Sequence, residues 1–157
     1  MGNFLFKRGG NQNQNNQEVE CPDYSDCKEF NFEFNEPVWV IKVYDGDTYT
    51  IAKNLDGIWY KFQVRVNGID CPEIKTKNES EKFVAEKAKI FISNLILRKK
   101  IYVKNIQKDK YGRLLSDVYT LDNQKISDLL IQNKLAVSYD GGTKKSPDDW
   151  KKFNLEI

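Results

Sequence analysis

Apolar and polar positions alternate through the first well-patterned stretch of the chain. Val38 to Val43 is β-branched and aromatic, Thr48 to Ala52 resumes after a polar break, and Ile58 to Val66 alternates up to Asn67-Gly68. A period of two over such runs predicts β-strands. Asp56-Gly57 lies between the second and third runs, a pair suited to the positive dihedrals of a tight hairpin. The period then changes. Val84, Ala88, Phe91, Ile92, Leu95 and Ile96 recur at three- and four-residue steps, which predicts an amphipathic helix over roughly Glu79 to Leu97 whose apolar stripe is ordinary core packing. Ile101 to Lys104 and Leu115 to Leu121 read as two more strands, and Ile126 to Asn133 as a second helix. Ser146-Pro147-Asp148 has the form of a further helix start, with Ser as cap and Pro in the first turn.

Three strands, a helix and two strands is the order of a five-stranded Greek-key barrel of the OB type. The fold class expected is therefore α+β, with a helix between strands 3 and 4 and one or two helices at the C-terminal end. Residues 1–36 read as an N-terminal extension and 37–157 as the domain. Gly9 to Gln17 is rich in Asn and Gln with almost no apolar group, so it cannot repay the entropy of ordering and reads as a tether. After it, Phe30, Phe32 and Phe34 alternate, as an edge strand or a docked arm would.

Composition narrows the chemistry. The 157 residues include no histidine, which excludes Ser-His-Asp triads, imidazole acid–base pairs and His-containing zinc sites. Three cysteines, at 21, 27 and 71, do not make a disulfide framework; Cys21 and Cys27 fit either a small oxidised loop or two thiols. A net charge of +2 hides an uneven distribution: Glu18 to Glu36 holds seven acids and one lysine, whereas Ile74 to Arg113 holds twelve Lys or Arg against four acids. The basic part suits a polyanion, or simply a solvated face. No apolar run is long enough to span a bilayer. The opening Met1-Gly2-Asn3-Phe4-Leu5-Phe6 lacks the features of a signal peptide, and it departs from a myristoylation site by having Phe6 in place of Ser or Thr. A cytoplasmic-type location is the default expectation, and membrane contact through the N-terminus is the lesser reading.

Three polar clusters persist inside this strand-like sequence: Asp45-Gly46-Asp47-Thr48; Arg65 followed by Asp70-Cys71-Pro72-Glu73; and Asp109-Lys110-Tyr111-Gly112-Arg113. Asp47 opens the second strand and Asp70 follows the third, so both project from neighbouring strand ends in such a barrel. Carboxylates brought together repel unless a cation lies between them, and hard oxygens suit Ca²⁺ or Mg²⁺. Asp45 is placed as an outer-shell partner, and Glu73, beyond a proline, to orient or deprotonate water. Arg65 sits inside an alternating strand, on either the core-directed side or the ligand face, and its fork calls for an anion such as phosphate. Singly, these clusters are turns and loops; together they match what attack on a phosphodiester requires.

From about Val38 to Tyr139 the chain resembles the staphylococcal nuclease (thermonuclease) family, on all three clusters in order and at family spacing. The resemblance implies a Ca²⁺-dependent endonuclease acting on DNA and RNA, breaking the phosphorus–5′-oxygen bond to leave 3′-phosphate ends and preferring single strands. It implies Ca²⁺ held by Asp47, Asp70 and the backbone carbonyl of Cys71, where the family usually has Thr. Glu73 would activate water, Arg65 and Arg113 would grip the phosphate, and Lys110 and Tyr111 would contact the terminal phosphate. Tyr139 would pack near base or sugar, although spacing around it departs from the family's by about one residue. A monomer is expected. The rival readings are a non-catalytic nucleic-acid-binding or protein-interaction module of the same family, and a membrane-associated adaptor. Retention of Asp47, Asp70, Glu73, Arg65 and Arg113 argues against a decayed site. Two further departures are a short loop after Glu73, and Gly141-Gly142-Thr143-Lys144-Lys145 in place of a longer C-terminal helix, whose lysines extend a polyanion track.

Overall fold

A computed structural model describes Cys21, residues 23–27 and residues 32–156. The Asn/Gln-rich segment, the Met1–Arg8 segment and Phe30 lie outside the described residues. The chain divides into two compact units at Phe30/Asn31. Of the first, a single 3₁₀ turn over Tyr24–Asp26 is described, with Cys21 and Cys27 both exposed.

The second unit is built on a closed barrel of five strands: β1 (Val38–Val43), β2 (Thr48–Leu55), β3 (Ile58–Val66), β5 (Lys100–Lys108) and β6 (Leu114–Tyr119), in the order β1-β2-β3-β6-β5. Two-residue strands β4 (Ile69–Asp70) and β7 (Val137–Ser138) pair beside it. Helix α1 (Glu79–Ile96) falls between the third and fourth barrel strands, and α2 (Ile126–Gln132) and α3 (Trp150–Leu155) follow. This is the α+β, OB-like arrangement expected from the pattern. The core is the inward parity of each strand: Val38, Val40, Tyr49, Ile51, Val64, Val66, Ile101, Val103 and Val118 pack with Val84, Ala88, Ile92 and Ile96 of α1. Asp56 and Gly57 both take positive φ, 50° and 85°, the conformation a two-residue hairpin demands. Closure of the barrel rests on a parallel pairing in which Val64, Arg65 and Val66 meet Leu114, Leu115 and Ser116.

Beyond shifts of one or two residues, three boundaries differ from the sequence expectation, each for a physical reason. Strand β5 continues to Lys108, because a register shift between Lys104 and Gln107, with Asn105 at φ 52°, breaks the alternation without ending the ladder. Strand β2 continues through the polar Lys53-Asn54-Leu55, paired residue for residue with β3 where both are exposed. The last helix is capped by Asp149, not Ser146: the Asp149 carboxylate accepts from Lys152 N–H at 3.1 Å and from the Ser80 hydroxyl. That contact ties α3 to α1, together with Lys87 on Asn154 and a buried Trp150. Phe32 and Phe34 are not a strand; their rings rest on Phe62, at 5.6 and 5.7 Å between centroids, as a docked arm.

Candidate active site

Two tight segments carry the first two acidic clusters to one end of the barrel. Between β1 and β2 the chain turns at Asp45-Gly46-Asp47, with Asp47 N–H donating to Asp45 Oδ1 at 3.2 Å and the buried Tyr49 hydroxyl donating to Gly46 C=O at 2.6 Å. Gly46 is required by crowding: a Cβ there would lie 2.7 Å from Cys71 Sγ. After β3, the turn at Asn67-Gly68 and the β4–β7 pairing fold Asp70 and Cys71 back against that turn. Cys71 N–H then donates to Asp47 Oδ2 at 3.0 Å, and the Thr48 hydroxyl to Asp47 Oδ1 at 3.0 Å.

Arg65 joins the two. Its Nη1 contacts Asp47 Oδ2, and its Nη2 lies 3.2 Å from Asp70 Oδ1 and 3.3 Å from Ile69 C=O. The side chains of Arg65, Asp47 and Asp70 are only 13%, 6% and 4% exposed. One guanidinium therefore spans two nearly buried carboxylates from different loops. Nη1, though against Asp47, makes no well-directed hydrogen bond. Two nearly buried carboxylates brought to one guanidinium form a donor set of hard oxygens that suits a divalent ion. Among the described residues no group of three or more Asp, Glu, Cys or His is placed to hold a metal. An ion there would be held by two carboxylates, with carbonyl and solvent oxygens completing its shell.

The third cluster forms a self-contained loop between β5 and β6. Asp109 Oδ1 accepts from Tyr111 N–H and Arg113 N–H at 2.8 and 2.9 Å, and its Oδ2 accepts from Arg113 Nε at 2.6 Å. Gly112, at φ 80°, permits the tight return. Arg113 is thereby fixed through Nε, leaving its two Nη groups as the remaining donors. The Tyr111 ring is 72% exposed, with Arg113 and Lys110 at 5.4 and 5.1 Å from its centroid. Burial alone would raise the Asp109 carboxyl, but the hydrogen bonds from Arg113 and Tyr111 outweigh it and hold the group below its ordinary value. A depressed carboxylate contributes order above its unfolded value and loses it as pH falls through the folded one. The amide resonances of Tyr111 and Arg113 should then titrate together, with a midpoint below the ordinary aspartate value of about 3.9. A midpoint at or above that value would contradict the loop geometry.

These elements enclose a cleft of about 550 Å³ lined by Asp45, Asp47, Arg65, Cys71, Glu73, Lys110, Tyr111, Arg113 and Tyr139 among others. Asp70 sits just behind it on Arg65. Every residue singled out from the sequence is thus brought to one place. Burial raises the Asp45 carboxyl against the opposing pull of Arg65, and burial pushes the Cys71 thiol far up, so that it is neither thiolate nor nucleophile. Tyr139 borders the cleft with its hydroxyl donating to Gly142 C=O at 3.0 Å.

The cleft also holds residues that sequence reasoning did not assign to it. Lys144 places Nζ 3.0 Å from Asp70 Oδ1 and 3.1 Å from Glu73 Oε1, bridging a buried carboxylate and an exposed one. Burial opposes its charge, but the two carboxylates prevail and raise its pKa, so it stays an ammonium. No local pattern announces Lys144, because the loop that carries it has no periodicity. Gln63 was legible in principle: it lies two residues before Arg65 on an unbroken strand and so shares its face. Tyr44 and Thr48 complete the lining.

The profile of the staphylococcal nuclease homologue family matches residues 63–155, more than half of the 157-residue chain. The chain belongs to the staphylococcal nuclease homologue family. The matched segment carries Arg65, Asp70, Glu73, Arg113 and Lys144, while Asp45 and Asp47 lie ahead of it. A protein named "Probable endonuclease LCL3" from Candida glabrata is 33% identical over 99 residues, which cover 61% of this chain and 37% of that one. Two proteins from Escherichia coli, one of strain O157:H7, each named "Uncharacterized endonuclease", are 27% identical over 101 residues, 64% of this chain and 60% of theirs. The chain therefore aligns with less than two thirds of the length of the curated relatives it matches.

Proposed function

We propose that this staphylococcal nuclease homologue is an endonuclease that hydrolyses phosphodiester bonds of single-stranded DNA and RNA with the help of Ca²⁺, leaving 3′-phosphate ends. The observation that carries the reading is the grouping of Asp47, Asp70, Arg65, Glu73 and Arg113 around one cleft in a chain without histidine. Endonuclease names on the relatives point the same way.

Asp47, Asp70 and the Cys71 carbonyl are the groups that would hold the ion, with Asp45 behind them. When bound there, Ca²⁺ supplies neutralisation of the two carboxylates and polarisation of a phosphate oxygen. The chain's own residues do the rest. Arg65 and Arg113 approach the phosphate from two loops and stabilise the extra negative charge of the five-coordinate transition state. Asp109 keeps Arg113 in register through Nε. Glu73, exposed at the cleft and tied to Lys144, takes the proton from the attacking water as the new P–O bond forms. The bond to the 5′ oxygen breaks, and a proton passes to that oxygen, for which Arg113 is the assigned donor. Lys110 and Tyr111 receive the neighbouring terminal phosphate, and Tyr139 the sugar or base. A single strand bends into so small a cleft more readily than a duplex.

Incubating the purified protein with single-stranded DNA and with RNA, with Ca²⁺ or with a chelator, tests this directly. Digestion should require the ion, and the products should fail to join a 5′-phosphorylated oligonucleotide until their 3′ ends are dephosphorylated. Chelator-insensitive cleavage would remove the ion's role, and 3′-hydroxyl products would reverse the bond assignment. No cleavage of either polymer in Ca²⁺ would return the domain to the binding-module reading.

A further inference from the structure

Beyond the cleft, the outward parity of the barrel strands carries a second pattern. Thr48 to Leu55 pairs with Ile58 to Arg65 without interruption, so Arg65, Gln63, Lys61 and Trp59 stand on one face of β3, opposite Thr48, Thr50, Ala52 and Asn54 of β2. A bulge between Val40 and Lys42 turns both Trp39 and Lys42 outward on β1. The rows across the sheet are then Arg65 and Thr48 in the cleft; Gln63, Thr50 and Lys42; Lys61, Ala52, Trp39 and Lys100; and Trp59 with Asn54. Trp59 is 61% exposed and Trp39 41%, and Lys100 Nζ lies 5.3 Å above the Trp39 ring. From Arg65 to Trp59 is six residues of regular strand, roughly 20 Å.

We infer that this outer face is an extended binding site for a single nucleic-acid strand, continuous with the cleft, in which Trp39 and Trp59 stack on bases and Lys42, Lys61 and Lys100 follow the phosphates. The inference rests on the nuclease reading for its substrate class. Two features select a polynucleotide over a protein. Gln63 belongs both to the cleft lining and to the track, so a strand leaving the reacting phosphate runs onto it. The exposed rings are separated by lysines and small residues, whereas a protein-docking centre is depleted of lysine and apolar throughout. Isolated rings alternating with cations are what single-strand binding uses, since every base has a stacking face. Ala52, flanked by Lys61 and Trp39, leaves the low point a base needs.

Binding can be separated from cleavage by working in chelator. 5′-Fluorescein-labelled oligothymidylates of four and twelve nucleotides are titrated with the full chain, following fluorescein anisotropy for affinity and tryptophan emission for stacking, for the wild type and for W39A, W59A and the double variant. Trp150 is buried in the core and remains as a signal that each variant is folded. The twelve-mer should quench wild-type fluorescence and bind about tenfold more weakly for each ring removed, while four-mer affinity changes less than twofold. Charge reversal at Lys61 (Lys61→Glu) should weaken the twelve-mer alone and flatten its salt dependence. Equal twelve-mer affinity in the double variant and wild type overturns the inference, as does failure of the wild type to bind the twelve-mer. Concentration-dependent dimerisation abolished by W39A and W59A, with oligonucleotide affinity unchanged, would give the face to a second copy and also overturn it. Ring-dependent binding without hydrolysis in Ca²⁺ would sustain this site while refuting the nuclease reading; hydrolysis with ring-independent binding would do the reverse.

Discussion

Glu73→Gln should lower turnover by about 10²–10⁴-fold, the usual contribution of a positioned proton acceptor. The amide keeps the size and the hydrogen-bonding capacity of the carboxylate but cannot accept water's proton. Folding stability should hardly move, because the Glu73 side chain is 59% exposed and its ion pair with Lys144 is half in solvent. The chain has no histidine to take over the task. Single-turnover cleavage of a labelled oligonucleotide, alongside a urea unfolding curve, separates the two quantities. A variant within fivefold of the wild-type rate would remove Glu73 from the proton-transfer role.

Arg65→Met should act in the opposite manner, through the fold as well as the reaction. Arg65 is the shared counter-charge of Asp47 and Asp70, both nearly buried. Removing one partner of a buried ion pair typically destabilises by about 3–5 kcal/mol, because the remaining charge is left uncompensated. Hydrogen bonds from Thr48 and Cys71 soften the effect for Asp47, and Lys144 softens it for Asp70. A loss of about 3 kcal/mol in chelator is therefore expected. Saturating Ca²⁺ should restore much of it, since a ligand that binds only the folded state stabilises it by mass action. Urea denaturation with and without the ion measures both. A loss under 1 kcal/mol in chelator, or no recovery with Ca²⁺, would show that the carboxylates do not depend on a cation between them. Arg65→Lys keeps the charge, so it should spare stability and still reduce turnover, a single ammonium being unable to make the two-pronged contact.

The barrel was legible because its strands obey two independent constraints at once. Val38, Val40, Ile51, Val64 and Val66 alternate with exposed positions, and Asp56-Gly57 marks the hairpin between two of the runs. The candidate site was legible because acids cluster at the turns and strand ends while Arg65 takes an outward position of β3 between Val64 and Val66. What escaped was decided by contacts distant in sequence. The end of β5 is held by backbone pairing across a bulge that scrambles alternation. The cap of α3 is chosen by Ser80, 69 residues away. Lys144 reaches Asp70 and Glu73 from a loop whose lysines suggest a polyanion track but no particular partner. Propensity and periodicity are local quantities, and none of these three outcomes is.

The seam between β3 and β6 links the maturation of the domain to its chemistry. Residues 64–66 and 114–116 are neighbours only after the intervening helix and strand have been laid down. Contacts this far apart in sequence form slowly and late. The same seam brings Arg65 beside Leu115, one position from the Leu114 that follows Arg113. A nascent chain that has not yet emerged past Ser116 has no paired arginines, however much of its helix has formed. A partly folded intermediate accordingly lacks the completed cleft, which arrives together with barrel closure.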